Sequence, residues 1–178
     1  MLFFYIILLF FDFSLAECPP EAIIVPSVLQ NKWSCLLFNP PGKKFLTAED
    51  QCINKGGHLV SVPNQFLNFF IAQNADSTFG DENSGTKFWI GITSLLGGGW
   101  KNIDDGSNTT YFDWASGEPA DSLGSNGCTS VDMEGLWYND DCFNIYPYVC
   151  EVPEVNVDST SQPITPPQSI VSRIDTSM

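Results

Sequence analysis

The sequence predicts a single small α+β domain, stapled by disulfides, between an apolar leader and a polar tail. Three observations carry that reading. Two helix patterns, near residues 47–56 and 64–71, lie among short strand patterns. Six cysteines follow an apolar amino-terminal stretch in a chain of 178 residues, the usage expected of a disulfide framework in an oxidising compartment. The stretch Gly117 to Cys150 crowds three of those cysteines, a Glu-Pro pair and Trp137 among oxygen-bearing side chains. A long clamped loop of that composition is suited to offering carboxylates and amides to an outside ligand.

Met1 to Phe11 is almost wholly apolar, and Ser14-Leu15-Ala16 supplies the small residues of a cleavage site. Residues 1–16 are therefore expected to be a signal peptide, with a mature domain over 17–151. A membrane anchor is the competing reading. The apolar run meets Asp12 before it reaches the ~18 residues that a span needs. With no other run of that length, the expected product is soluble and secreted.

Lys32 to Phe38 reads as the first strand, and Pro40-Pro41-Gly42 as a turn. Thr47 is the expected N-cap of the first helix, with Glu49 and Asp50 in its first turn, and Gly56-Gly57 its stop. Ala48 and Cys52 share one face, which points Cys52 inward. His58 to Val62 is the next strand, ending at Pro63. His58 is the single histidine and lacks sequence neighbours for catalysis, so a structural role is expected. Asn64 caps the second helix pattern, with Phe66, Phe69 and Phe70 as its apolar, core-facing side. Residues 75–85 read as a loop, Phe88 to Thr93 as a central strand, and Leu95 to Trp100 as a glycine-rich surface loop. That loop lacks the Lys-Ser/Thr and the helix of a phosphate cradle. Asn108-Thr109-Thr110 is the single N-glycosylation sequon, at Asn108 beside the turn cluster Asp104-Asp105-Gly106. Residues 152–178 are rich in Pro, Ser and Thr and read as a disordered tail.

The net charge of −14 repels phosphate backbones, anionic membranes and sulfated glycans, so nucleic acid is not an expected partner. A Cys/His metal site is disfavoured by the single histidine and the absence of a Cys-x-x-Cys pair.

Motifs then narrow the reading. Trp89-Ile90-Gly91-Ile92, Phe112-x-x-x-x-Gly117-Glu118-Pro119 around Trp114, Cys128, Trp137-Tyr138-Asn139-Asp140, Cys142 and Cys150 occur in the order found in C-type lectin-like domains. With Cys52 and Gly57 to Val62, the resemblance covers about Cys18 to Cys150. It implies two helices flanking small antiparallel sheets, with a long disulfide-clamped loop region. It also implies the pairs Cys18–Cys35, Cys52–Cys150 and Cys128–Cys142; spacing alone leaves fifteen pairings open. On the chain-entropy scale, loops of these lengths correspond to about 3 kcal/mol for the short third bridge and about 4.7 for the long second one.

In sugar-binding members of that family, one calcium is held by the Glu and Asn of Glu-Pro-Asn, an acid before the next Cys, and the Asn-Asp after the Trp. Calcium takes six to eight hard oxygens, and affinity tracks ligand charge. The spacing here places Glu118, Ala120, Asn126, Tyr138 and Asn139 at those positions. Asn139-Asp140 looks like the Asn-Asp pair but sits one residue late, which turns side chains to the opposite face. Glu118, Asn126, Asn139 and Asp140 are the candidate metal ligands of what reads as a degraded site, with Asp121 as a side chain that an altered loop would bring in. Glu118, Asn126, Tyr138 and Asn139 are the candidate ligand-binding residues, Tyr138 as an exposed ring able to stack on a sugar. The stretch 94–98 carries no carboxylate, so the auxiliary calcium of some family members is not expected, and no cofactor is assigned.

An enzyme is not expected. Adjacent acids such as Asp104-Asp105 or Asp140-Asp141 point apart, and the domain has one His and no Arg to support a nucleophile or an oxyanion. Glu118 with Asp140 or Asp141 is the remaining route to a glycosidase. The expected function is a secreted recognition module for glycans or surface glycoproteins, of the kind that serves defence against microbes. A calcium-independent protein-binding or matrix module is the alternative. The oligomeric state is not legible.

Overall fold

The structure is a computed structural model that describes residues 15–157, except 31, 33, 81–86 and 121–125. Residues 1–14 of the expected signal peptide, the tail from 158 onward and Asp121 lie outside the described residues. In chain order the elements are β1 (Leu15–Glu17), β2 (Ile23–Ile24), β3 (Cys35–Lys43), α1 (Phe45–Asn54), β4 (His58–Leu59) and α2 (Gln65–Phe79). They continue with β5 (Phe88–Thr93), β6 (Lys101–Asn102), β7 (Cys128–Val131), β8 (Trp137–Asp140), β9 (Tyr146–Val152) and β10 (Val155–Val157).

The main sheet runs β2-β3-β9-β5-β7-β8, with β4 added on β9 and β6 on β5. Its pairings are antiparallel except β5 with β9, where Trp89 lies opposite Tyr148. β5 is buried along its whole length because it separates two apolar clusters. Phe88, Ile90 and Ile92 face one, with Leu67, Ile71 and Trp137. Trp89 faces the other, with Phe45, Cys52 and Tyr148, and its indole N–H donates to the Lys43 carbonyl at 2.9 Å. The central strand expected from the sequence is thus present, with Trp89 and Ile92 both in the core. All three disulfides implied by the resemblance are formed.

Several local expectations are corrected. α1 starts at Phe45 rather than after Thr47, and no side chain caps it. The Phe45 N–H donates instead to the Cys142 carbonyl at 3.0 Å, so the disulfide loop caps the helix from outside its own sequence. Glu49 lies in the core rather than on the first turn; its carboxylate accepts from Leu59 N and meets His58 Nδ1 at 2.7 Å. His58 is accordingly a structural partner. The expected stop holds, with Gly56 at φ 83°. Pro40-Pro41-Gly42 is not a free turn. It lies within β3, where the pairing with β9 shifts register between Asn39 and Lys43.

Asn64 caps α2 as expected, accepting from Leu67 N at 3.0 Å. The helix, however, continues through Phe79, five residues into the stretch read as a loop. Its buried side is Leu67, Asn68, Ile71, Ala72, Ala75 and Phe79. Phe66 and Phe69 are 73% and 57% exposed, against the expected core face. The spacing of three phenylalanines was a real helical signal, but longer spacing by four, from Leu67 to Phe79, decides which side is covered. At the other end, the strands run past residue 151, where the domain is expected to end. β9 includes Val152, and β10 pairs with β1, whose Leu15 and Ala16 belong to the expected signal peptide.

Candidate functional site

Three aromatic rings and one amide build the support for the Gly117–Cys142 region. Trp114 bridges Trp137, and the two rings meet edge to face at 5.7 Å. Trp137 is fully buried, and its indole N–H donates to Asn68 Oδ1 at 2.8 Å. Asn68 Nδ2 donates in turn to Asp113 Oδ2 and to the Gly135 carbonyl. Asp113 also accepts from the Tyr111 hydroxyl at 2.8 Å. Burial, then the Asp113 hydrogen bond, pushes the Tyr111 phenol well above its usual range. Asn68 therefore fastens α2 to the loop. Sequence reasoning missed it, because a lone Asn inside a helix pattern carries no signal until its partners are known.

The backbone then turns through Gly117 into a cis Glu118-Pro119 bond. Glu118 Oε2 accepts from Ala120 N at 3.0 Å and from Asn139 N at 3.2 Å. Asn139 Nδ2 donates to the Ala120 carbonyl at 2.7 Å. Glu118, Ala120 and Asn139 thus form one hydrogen-bonded cluster. Asn139 is 7% exposed, and its Oδ1 is buried without a partner among the described residues, as is Oγ1 of Thr129, its cross-strand neighbour.

β8 alternates strictly, with Trp137 and Asn139 buried and Tyr138 and Asp140 on the other face. Asp140 is therefore not brought to Glu118. It accepts from Lys87 Nζ at 3.1 Å and from the Ser130 hydroxyl. Tyr138 is likewise turned away, and it is half-buried rather than an open ring. Its hydroxyl donates to Asp132 at 2.9 Å, and Lys87 Nζ sits 3.8 Å from the ring centroid. Asn126 lies half-buried just ahead of β7 and makes no hydrogen bond to Glu118 or Asn139. The glycosidase arrangement is not assembled: Asp140 faces away, and Asp141 accepts from Phe143 N in its own turn.

Calcium is the ion that the resemblance implies for this loop. Among the described residues, no three His, Cys, Asp or Glu side chains converge to hold a metal. Among the described residues Glu118 is the one carboxylate of its cluster, and backbone amides already occupy its Oε2. The described residues of the cluster offer one carboxylate, one amide oxygen and a carbonyl, against the six to eight oxygens of a calcium shell; Asp121 lies outside them.

The family described as Lectin C-type domain matches residues 42–152. This chain belongs to the C-type lectin family. Among its relatives, human asialoglycoprotein receptor 2 is 30% identical over 129 residues, covering 69% of this chain and 39% of that protein. The galactose-specific lectin nattectin of Thalassophryne nattereri is 30% identical over 105 residues, covering 59% of this chain and 64% of that one. The chain thus spans less than two thirds of these relatives' lengths. Among solved structures, the mouse scavenger receptor C-type lectin carbohydrate-recognition domain superposes with a TM-score of 0.64 at 25% identity. That match covers 79% of this chain and 99% of the other. No helix among the described residues is long and apolar enough to cross a membrane.

Proposed function

We propose that this C-type lectin is a secreted recognition module that binds neutral glycans through the Glu118 loop without calcium. The observation that carries the reading is the closure of the cluster by the protein's own hydrogen bonds. Glu118 is held by the amides of Ala120 and Asn139, and Asn139 is tied back to Ala120. In a calcium-dependent lectin an ion would organise these positions; here a direct hydrogen-bond network fills that role, leaving Glu118 Oε1 as the acceptor for sugar hydroxyls, with Asn139 holding the carboxylate in place. Carbohydrate-binding relatives such as the galactose-specific nattectin support the ligand class. Asn126, at the mouth of β7, is the remaining amide within the loop region. Tyr138 and Asp140 contribute to the stability of the opposite face rather than to the ligand.

A glycan array read in calcium and again in EDTA tests the reading. Binding that survives the chelator and is lost in Glu118→Gln is expected. Chelator-sensitive binding overturns it, and so does a blank array.

A further inference from the structure

Sharing no lining residue with the Glu118 cluster, the loop 102–110 folds against Ser61, Val62 and Pro63 and leaves a polar cleft of about 330 Å³. That volume is at the lower end of ligand pockets, right for one sugar ring or a similar small molecule. The floor is Asp104, whose side chain is 3% exposed. Its Oδ2 accepts from Lys32 Nζ at 2.8 Å, but its Oδ1 is buried with no partner among the described residues. Thr109, 8% exposed, also lines the cleft, and its Oγ1 is equally unpartnered. Buried polar atoms in native proteins are nearly always satisfied, so two orphans in one cleft mark a place where donors are missing.

The chemistry of those donors can be read from the lining. Asp104 and Asp105 bring two carboxylates against the single ammonium of Lys32. A buried carboxylate oxygen is best satisfied by a charged donor. Lys32 shows that the geometry accepts a primary ammonium, and it does so from a side chain that is itself 43% exposed. Around this centre stand the hydroxyls of Ser107, Thr109 and Thr110, which suit a ligand with several hydroxyl groups. Val62 and Pro63 provide an apolar wall.

We propose that the cleft between Ser61–Pro63 and the loop 102–110 is a second ligand site, separate from the Glu118 loop, for a hydroxyl-rich small molecule bearing a protonated amine, such as an unacetylated hexosamine. The ammonium sits on Asp104 Oδ1 and the ring hydroxyls meet Thr109 Oγ1, with Asp105 supplying the second negative charge at the rim. Lys32 competes for Asp104 and so sets the affinity.

Titration of the full-length, isotopically labelled protein with glucosamine, glucose, N-acetylglucosamine and Nα-acetyl-lysine amide, followed by amide NMR shifts, tests this. Saturable shifts confined to residues 61–63 and 102–110 are expected with glucosamine. Glucose and N-acetylglucosamine should bind at least about tenfold more weakly, as expected when a charge-assisted hydrogen bond is lost. Lys32→Met should tighten glucosamine binding and Thr109→Val should weaken it. Both retain the Asp104 carboxylate, so they remain informative if Asp104→Asn fails to fold. Equal binding of glucose and glucosamine overturns the proposal, as does binding of the lysine amide alone, shifts centred on 118–139, or no saturation.

Discussion

At the scale of single residues, two buried polar groups make opposite demands. Asn68 is 4% exposed and satisfied, joining Trp137, Asp113 and Gly135. Asn68→Ala leaves the Trp137 indole N–H buried without an acceptor, so a loss of about 3 kcal/mol is expected in urea unfolding. Glu151 is 1% exposed, and burial pushes its carboxyl up to about 7 from 4.5, although the Ser61 hydroxyl and amide pull it back down. The unfolded chain ionises first as pH rises. Stability is therefore full below pH 4.5, declines between 4.5 and about 7, and levels off above that. At 1.36 kcal/mol per unit the whole effect is on the order of 3 kcal/mol. Thermal melts at pH 5 and 8 should show the decline in the native protein and its near absence in Glu151→Gln, which keeps an acceptor for Ser61. Neither residue was legible in the sequence as special, because what distinguishes each is its partner across 45 to 90 positions of chain.

At the scale of elements, α2 separates pattern from packing. Its N-cap was readable, since Asn64 precedes a run of helix formers and its side chain reaches only three residues ahead. Asn64→Ala should cost about 1 kcal/mol. The covered side was only partly readable: Phe70 packs against the core as expected, but Phe66 and Phe69 form an exposed apolar stripe beside Leu67, Ile71 and Ala75. Phe66→Ser and Phe69→Ser should therefore change stability by no more than about 0.5 kcal/mol, whereas Ile71→Ala should cost about 2–5 kcal/mol. Chemical denaturation of the three variants checks this. α1 shows the same limit at its start, where the cap comes from Cys142, nearly a hundred residues later. β8 shows what strict alternation does allow. Once Trp137 was placed inside, Asn139 had to share its face and Asp140 had to turn away, and both did.

At the scale of the molecule, the three disulfides divide the work. Cys52–Cys150 joins α1 to β9 and spans 98 positions, while Cys128–Cys142 closes 14 and holds the candidate site. Replacing the first pair by serines should cost about 4.7 kcal/mol and unfold the domain broadly, and replacing the second about 3 kcal/mol. Melting with glycan binding as a second readout separates them. The short-loop variant should lose binding at temperatures where the rest of the fold persists. Gly57 and Gly91 tie the same core together from the backbone side. A Cβ at either would lie 1.9 Å or 2.3 Å from the carbonyl oxygens of Glu151 and Leu59.

By itself the sequence determined the frame of the Glu118 loop and, through its resemblance to a known family, implied the architecture and the disulfide pairing that spacing alone left open. These rest on the order and spacing of cysteines, tryptophans and the Glu-Pro pair, which are properties of the chain in one dimension. The tertiary structure alone decided which side of α2 is covered, what Tyr138 and Asp140 touch, and where polar atoms lie buried without partners. Those outcomes depend on atoms that meet from distant segments, and a lone Asn, Glu or Thr looks the same in sequence whether its partner is water, a carbonyl or nothing at all.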